Sequence, residues 1–234
     1  MLGEVAISPK TSRAESTAAT SAPLLSAAPL TPRGARTRVK LIAAAQALFE
    51  RDGYLETNVA DIAKRARVAH GTFYTYFDSK EDVFSEVADA LVVDFASALL
   101  EEPQLPSGHS VSERIEQTNR SYLRVYARRA RMMAVLEEVA TFNPRLAAIR
   151  RTSRRMWVQR NTAAVRRWKE QGLIDPAIDP AYAASVLGSM VDRSAYVWNV
   201  LGEPHDFEIA VEQLTRLYCN ALGLECHLDR KPDD

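Results

Sequence analysis

The sequence predicts an all-α protein, and two observations carry that expectation. From Arg36 onward, apolar residues recur at the i, i+3, i+4, i+7 spacing of amphipathic helices, with capping residues at many of the segment limits. No stretch alternates β-branched and polar residues between hairpin turns, so a sheet has no material. At 234 residues and 47% hydrophobic content, the chain is long enough to bury a core and to hold one or two domains.

Residues Met1 to Pro32 are rich in Ala, Ser, Thr and Pro, with few charges and no aromatic ring, which reads as a disordered arm, 1–32. A first helix follows on Leu41, Ile42, Ala45, Leu48 and Phe49, with Gly53 as its stop. Thr57 is placed as the N-cap of a short second helix carrying Val59, Ile62, Ala63 and Ala66, which breaks near Arg67 and Val68. A third short helix, about His70 to Phe77, sets Phe73 and Phe77 on one face for docking onto the first two. Ser79 caps a long fourth helix through a Ser-x-x-Asp box with Asp82, and Phe84, Val87, Leu91, Phe95 and Leu99 form its stripe.

Beyond a loop at Pro103 to Gly108, helices are expected at Ser112–Ala127, Arg131–Thr141, Pro144–Gln171, Pro180–Leu201 and Phe207–Leu222. Asp179 before Pro180, with Gly172 and Gly223 at C-terminal ends, supports these limits. The expected total is about nine helices.

Several function classes lack their signatures. The N-terminus has neither the basic head nor the apolar stretch of a signal peptide, and no run of about 18 apolar residues occurs, so a cytoplasmic protein is expected. Cys219 and Cys226 are the only cysteines and complete no metal-ligand spacing; Cys226 beside His227 is an incomplete site. They read as a buried thiol and a tail cysteine, and no metal or cofactor is expected. His70, His109, His205 and His227 are scattered, and neither a glycine-rich phosphate loop nor Gly-x-Ser-x-Gly is present. An all-helical enzyme assembled from distant residues is the rival class.

Charge is balanced overall, 30 basic against 30 acidic, but it is unevenly distributed. From Arg33 to Phe77 there are eight basic and four acidic residues, a net of about +4 at one end of a neutral chain. Arg145 to Glu170 holds nine basic residues and one acidic. That helix is either a solvated face paired with acidic neighbours such as Ser79–Leu100, or an anion-binding mouth in which Arg154, Arg155 and Arg160 clamp a phosphate or carboxylate.

The third helix is short enough to enter the major groove of B-DNA, and His70, Thr72, Tyr74 and Thr75 would give it a polar outer face. Aromatic rings at helical spacing ordinarily pack a core. That describes Phe73 and Phe77 but not Tyr74, which is adjacent to Phe73 and points elsewhere.

Thr57-Asn-Val-Ala-Asp-Ile-Ala, then Gly71-Thr-Phe-Tyr-Thr-Tyr-Phe77 and Ser79-Lys80-Glu81, resembles the DNA-binding domain of the TetR family of repressors. The resemblance spans about Arg36 to Phe84, and beyond that it extends to helix number and length alone. The inter-helix turn departs from the family's usual Ala-Gly-Val-Ser: here it reads Ala66-Arg67-Val68-Ala69. Arg67 must then adopt a conformation glycine takes freely, at a cost of about 1 kcal/mol. Ala69 offers no side-chain oxygen as a cap.

The polar face of His70, Thr72, Tyr74 and Thr75 is expected to read bases and Gly71 to bring the backbone close. The resemblance implies that Thr57, Tyr76 and Lys80 contact phosphate, and Arg67, where the chain departs from the family, is expected to reach a phosphate as well. The resemblance also implies residues 33–80 as DNA-binding domain, 81–225 as ligand-binding and dimerisation domain, and 226–234 as tail. A homodimer interface is expected from Val186, Met190, Val197 and Leu201 facing Val211, Leu214, Tyr218 and Ala221. Candidate effector contacts are Phe95, Tyr122, Tyr126, Met133, Arg154, Trp157, Arg160, Met190, Arg193 and Trp198. Asp192-Arg193 reads as an internal ion pair or an effector contact.

The expected partners are palindromic operator DNA, a second copy of the chain, and a small effector such as an amphipathic acid or acyl-thioester. A nucleoid-type protein that binds DNA without sequence preference or effector is the alternative.

Overall fold

A computed structural model describes residues 31–100 and 110–226, with the backbone alone at 98–100. The N-terminal arm up to residue 30, the loop at Pro103 to Gly108, the side chain of Leu99, His109, and the tail from His227 lie outside the described residues. Among the described residues there are eight helices and no strand.

Helix α1 (Pro32–Glu56) opens on Thr31, whose hydroxyl accepts from the Gly34 amide, with Pro32 at the first helical position. Gly53 interrupts it at φ 84°, a region open to glycine, so the expected stop appears as a kink with one further turn. The N-cap of α2 (Val59–Ala66) is Asn58, not Thr57: Asn58 Oδ1 accepts from the Asp61 amide at 2.9 Å. Arg67 ends α2 in the left-handed region, φ 57° and ψ 47°, and the Val68 amide reaches back to the Ala63 carbonyl. This is the closure expected of glycine, made by an arginine.

Helix α3 (His70–Phe73) is shorter than expected. After Tyr74 the chain continues in tighter turns, with the Thr75 and Tyr76 amides donating to Thr72 and Phe73 carbonyls. Helix α4 (Lys80–Leu100) begins on the Ser79 box, with Ser79 Oγ bonded to the Asp82 amide and carboxylate.

The two helices expected at Ser112–Ala127 and Arg131–Thr141 are one continuous α5 (Val111–Ala140). Ala127-Arg128-Arg129-Ala130 between them are strong helix formers, so the helix runs through them without a break. Helices α6 (Pro144–Glu170), α7 (Pro180–Asn199) and α8 (Phe207–Leu222) follow the expected limits within two residues.

One apolar cluster runs from Leu41, Phe49 and Phe73 through Phe84, Leu91 and Tyr126 to Val211 and Leu214. The three N-terminal helices and the body therefore share a continuous core, bridged by the first half of α4. A second cluster, around Ile115, Val165, Ile174, Leu187, Tyr218, Cys219 and Leu222, ties α5, α6, α7 and α8 together. Helix α6 packs chiefly along α7, whereas α7 and α8 meet only briefly.

Candidate nucleic-acid interface

Phe73 is fully buried and Phe77 nearly so, their rings 5.6 Å apart, and they anchor the segment after Arg67 to the core. With that side fixed, the opposite side is exposed. Tyr74 is 51% exposed, its ring 5.4 Å from that of His70 one turn earlier, while Gly71 and Thr75 are exposed and Thr72 is half-buried. The segment presents a polar, aromatic surface about one turn long, of the size a major groove admits. Ala69 makes no side-chain cap, as its type dictates.

The surrounding charge is smaller than the composition suggests. Arg38 is turned inward, its guanidinium 5.3 Å over the Phe77 ring and 2.7 Å from Glu86, and Arg51 pairs with Asp52. Arg33, Arg36, Lys40, Lys64, Arg65 and Arg67 remain on the exposed surface.

Three expected phosphate contacts are placed differently. Thr57 is 2% exposed and its hydroxyl donates to the Gly53 carbonyl at 2.7 Å, so it closes the kink of α1. Tyr76 is half-buried against the main core. Lys80 Nζ donates to the carbonyls of Tyr54 at 2.7 Å, Leu55 at 3.3 Å and Thr57 at 2.7 Å, and lies 4.4 Å over the Tyr54 ring. An ammonium with three carbonyl partners stitches the end of α1 to the start of α4. Burial lowers its pKa, with Glu56 opposing.

Lys80→Met is accordingly expected to lower stability by about 1 to 2 kcal/mol, after allowance for partial exposure, or about 3 to 6 °C in Tm. The salt dependence of DNA binding should not change, whereas loss of a phosphate contact would reduce the log–log slope by about one. Thermal melting and a salt titration separate the two roles.

The start of α4 is also tied to α6. Arg145 reaches Asp82 at 2.7 Å, Asn143 Nδ2 donates to Glu81 at 2.6 Å, and Phe142 lies 6.3 Å from Tyr54. Burial raises the Asp82 carboxyl, but Arg145 and Ser79 outweigh it and hold the group below its usual range. The basic helix therefore makes at least one of the acidic pairings expected of it.

The candidate effector residues do not form one site. Phe95, Tyr122, Tyr126 and Trp157 come together, with Tyr122 ring centroids 5.3 Å from Phe95 and 5.1 Å from Trp157. Met133 is buried in the same core. Arg154 is bound to Ser185 and Ser189 hydroxyls of α7, at 3.2 and 2.8 Å. Arg160 and Arg193 are exposed, with Arg193 over the Tyr196 ring. Met190 and Trp198 line a separate surface concavity of about 310 Å³, with Ile209, Gln213 and Leu217.

The polar centre of the body joins Tyr122 and Asp192, both singled out from the sequence, to Arg150 and Glu137, whose part in it the sequence did not show. The Tyr122 hydroxyl donates to Asp192, and Arg150 bridges Asp192 at 3.0 Å and Glu137. Asp192 pairs with Arg150 and not with Arg193, because adjacent helical residues point about 100° apart. Burial drives the Tyr122 hydroxyl far above its usual range, and the Asp192 charge adds to the effect. For Arg150, burial lowers the pKa, but the two carboxylates outweigh it and the net direction is up.

On the expected dimer face, the α7 stripe is outward: Val186 and Leu201 are exposed, Met190 and Val197 half-buried. The α8 stripe is reversed. Val211, Leu214 and Tyr218 are buried in the protomer's own core, and of the expected set Ala221 alone is outward. The large exposed apolar residues of α8 are Ile209 and Leu217, one on each side of Gln213 at four-residue spacing.

Among the described residues, no group of three His, Cys, Asp or Glu is placed to hold a metal ion, and no helix is long and apolar enough to cross a membrane.

A bundle headed by two short helices, with a left-handed turn between them and an exposed polar face on the second, is of the helix-turn-helix class. Residues 41–87 match the family model described as bacterial regulatory proteins, tetR family. The HTH-type transcriptional regulator EthR of Mycolicibacterium smegmatis is 39% identical over 70 residues, 26% of this chain and 32% of the relative. The uncharacterised HTH-type regulator YhgD of Bacillus subtilis is 39% identical over 77 residues, 32% of this chain and 40% of the relative. The chain thus matches between about a third and two fifths of the length of these curated relatives.

Solved structures resemble the whole fold. The fatty acid degradation regulator FadR from Bacillus halodurans matches with TM-score 0.65 and 21% identity, over 78% of this chain and 94% of that one. FadR from Bacillus subtilis, solved with stearoyl-CoA, matches with TM-score 0.66 and 19% identity, over 77% and 96%. Residues 41–87 thus match the DNA-binding part of the tetR family, and the chain as a whole shares its fold with these regulators.

Proposed function

We propose that this chain is a cytoplasmic transcriptional repressor that binds a palindromic operator as a homodimer and leaves it when a small amphipathic effector binds the body. The observation that carries the reading is the contrast between neighbours: Phe73 is wholly buried, while Tyr74 is half exposed beside His70 and Thr75. A packing helix has no use for an outward tyrosine–histidine pair, whereas a groove-reading helix does. His70, Thr72, Tyr74 and Thr75 are assigned to bases. Gly71 allows close approach, and Arg67 with the exposed basic residues is assigned to phosphates.

The dimer surface is assigned to Tyr182, Val186 and Met190 of α7 and Leu201 just after it, with Ile209 and Leu217 of α8. The concavity between the two helices joins the stripes, and a two-fold axis there makes a four-helix contact. Leu217→Glu removes apolar burial of about 1.5 to 3 kcal/mol at each of two symmetric positions, and should weaken dimerisation by a hundredfold or more, about 3 to 6 kcal/mol. Light scattering across a dilution series checks this, with the monomer still helical.

The effector region is assigned to the aromatic group Phe95, Tyr122, Tyr126 and Trp157 beside the Arg150 network, where rings meet an acyl or aryl chain and a guanidinium meets its acid or phosphate end. The FadR structure with stearoyl-CoA supports an acyl-thioester as the first compound to try. Adding stearoyl-CoA to the protein on its DNA should lower affinity and raise the Tm of the free protein. An unchanged Tm and unchanged affinity over a panel of acyl-thioesters and free acids would remove the effector part of the reading. A nucleoid-type role is distinguished by binding that ignores sequence and collapses with salt.

A further inference from the structure

The two thiols were expected to be unrelated, one in the core and one in the tail. The structure puts them together. Helix α8 ends at Gly223 in the left-handed conformation, where the Gly223 amide donates to Asn220 and the Leu224 amide reaches back to the Cys219 carbonyl at 3.0 Å. That reversal returns the chain over the last turn of α8. Leu224 and Cys226 pack onto the cluster that contains Cys219, Leu222 and Val165. Cys226 therefore lies close enough to Cys219 for its sulfur to act on the Cys219 thiol. Cys219 is fully buried, Cys226 is half-exposed, and neither is in a disulfide.

We propose that Cys219 and Cys226 form a redox-modifiable dithiol that takes a hydroperoxide-class oxidant and closes to an intramolecular disulfide across the C-terminal end of α8. Only Cys226 is accessible, so it reacts first. Its sulfur attacks the outer oxygen of the hydroperoxide: an S–O bond forms, the O–O bond breaks, and the departing oxygen leaves as an alcohol or water after taking up a proton. The Cys219 sulfur then attacks the Cys226 sulfur. An S–S bond forms, the S–O bond breaks, and hydroxide leaves as water with the Cys219 proton. The hydroperoxide is reduced by two electrons and the two thiols are oxidised by two.

Burial, reinforced by the neighbouring Cys226 sulfur, pushes the Cys219 thiol up to about 12, so it enters the second step as the protonated partner. The sulfurs must close to about 2.05 Å. The Gly223 reversal sets Cys226 beside the last turn of α8, on the same cluster as Cys219.

The test treats the full chain, kept native, with hydrogen peroxide, then alkylates it after denaturation and measures intact mass. Because the chain has only two cysteines, every outcome is assignable. The expected result is a monomeric chain lighter by two hydrogens with no alkylatable thiol, and a proteolytic fragment joining residues 219 and 226. In Cys219→Ala, dimedone should label Cys226; in Cys226→Ser, Cys219 should stay reduced and alkylatable. The proposal is overturned if wild-type Cys226 is oxidised to sulfenic or sulfinic acid while Cys219 remains alkylatable, if the disulfide joins two chains, or if both thiols survive peroxide that fully oxidises a dithiol peptide control.

Discussion

Arg150→Ala is expected to lower stability by about 2 to 3 kcal/mol, or about 5 to 10 °C in Tm. Breaking a fully buried pair costs more, but the Arg150, Glu137 and Asp192 side chains keep 20%, 36% and 27% of their exposure, and water that reaches them screens the loss. The penalty arises because two carboxylates from α5 and α7 stay close together with no cation, while Tyr122 already uses Asp192 as acceptor. Asp192→Asn removes one of those charges but keeps an acceptor for Tyr122, and should be milder. If this network is also the effector's polar anchor, Arg150→Met, which keeps the packing, should abolish the Tm rise given by a binding effector. Differential scanning calorimetry with and without effector reads both effects.

Phe73→Ala and Tyr74→Ala, one residue apart, should fail in opposite ways. Phe73 is 0% exposed and packed on Phe77, so its truncation leaves a cavity under the groove-facing segment. A loss of about 3 to 5 kcal/mol follows, together with loss of DNA binding because the segment is no longer held. Tyr74 is half exposed, so Tyr74→Ala should leave Tm within about 2 °C and dimerisation intact. Its affinity for the operator should fall by about 1 to 3 kcal/mol, a factor of about 5 to 150. Equal operator affinity in Tyr74→Ala and wild type would remove Tyr74 from the reading face.

The N-terminal helices were legible because their rules are local. The Ser79 box, the break after Ala66 and the anchoring of Phe73 and Phe77 each depend on residues within one or two turns. Thr57 and Lys80 misled for the opposite reason. Both are polar residues near helix ends, yet their partners, the Gly53 carbonyl and the carbonyls at and just after the end of α1, are fixed by how α1 meets α4. Asn58, next to Thr57, is also a good cap, and pattern alone does not rank the two.

Further along, the limits of legibility were set by helices apolar on more than one side. Helix α8 carries Val211, Leu214 and Tyr218 on one face and Ile209 and Leu217 on another. Spacing identifies both stripes, but which one the protomer keeps is decided by where α5 lies against it. Arg150 was lost within a run of nine basic residues, because what distinguishes it is the approach of Glu137 and Asp192 from other helices. The closeness of Cys219 and Cys226 had a local signal in Gly223, a chain-reversing residue between two thiols.

The central claim, that the face carrying His70, Thr72, Tyr74 and Thr75 reads a specific operator, is tested most directly by selecting bound sequences from random duplex DNA with the full-length dimer. The account predicts enrichment of a palindrome whose half-sites are centred about one helical turn, roughly 10 base pairs, apart. It further predicts that Tyr74→Ala relaxes one position in each half-site while leaving the spacing unchanged. Recovery of no consensus, with equal retention of all sequences at each salt concentration, would contradict it.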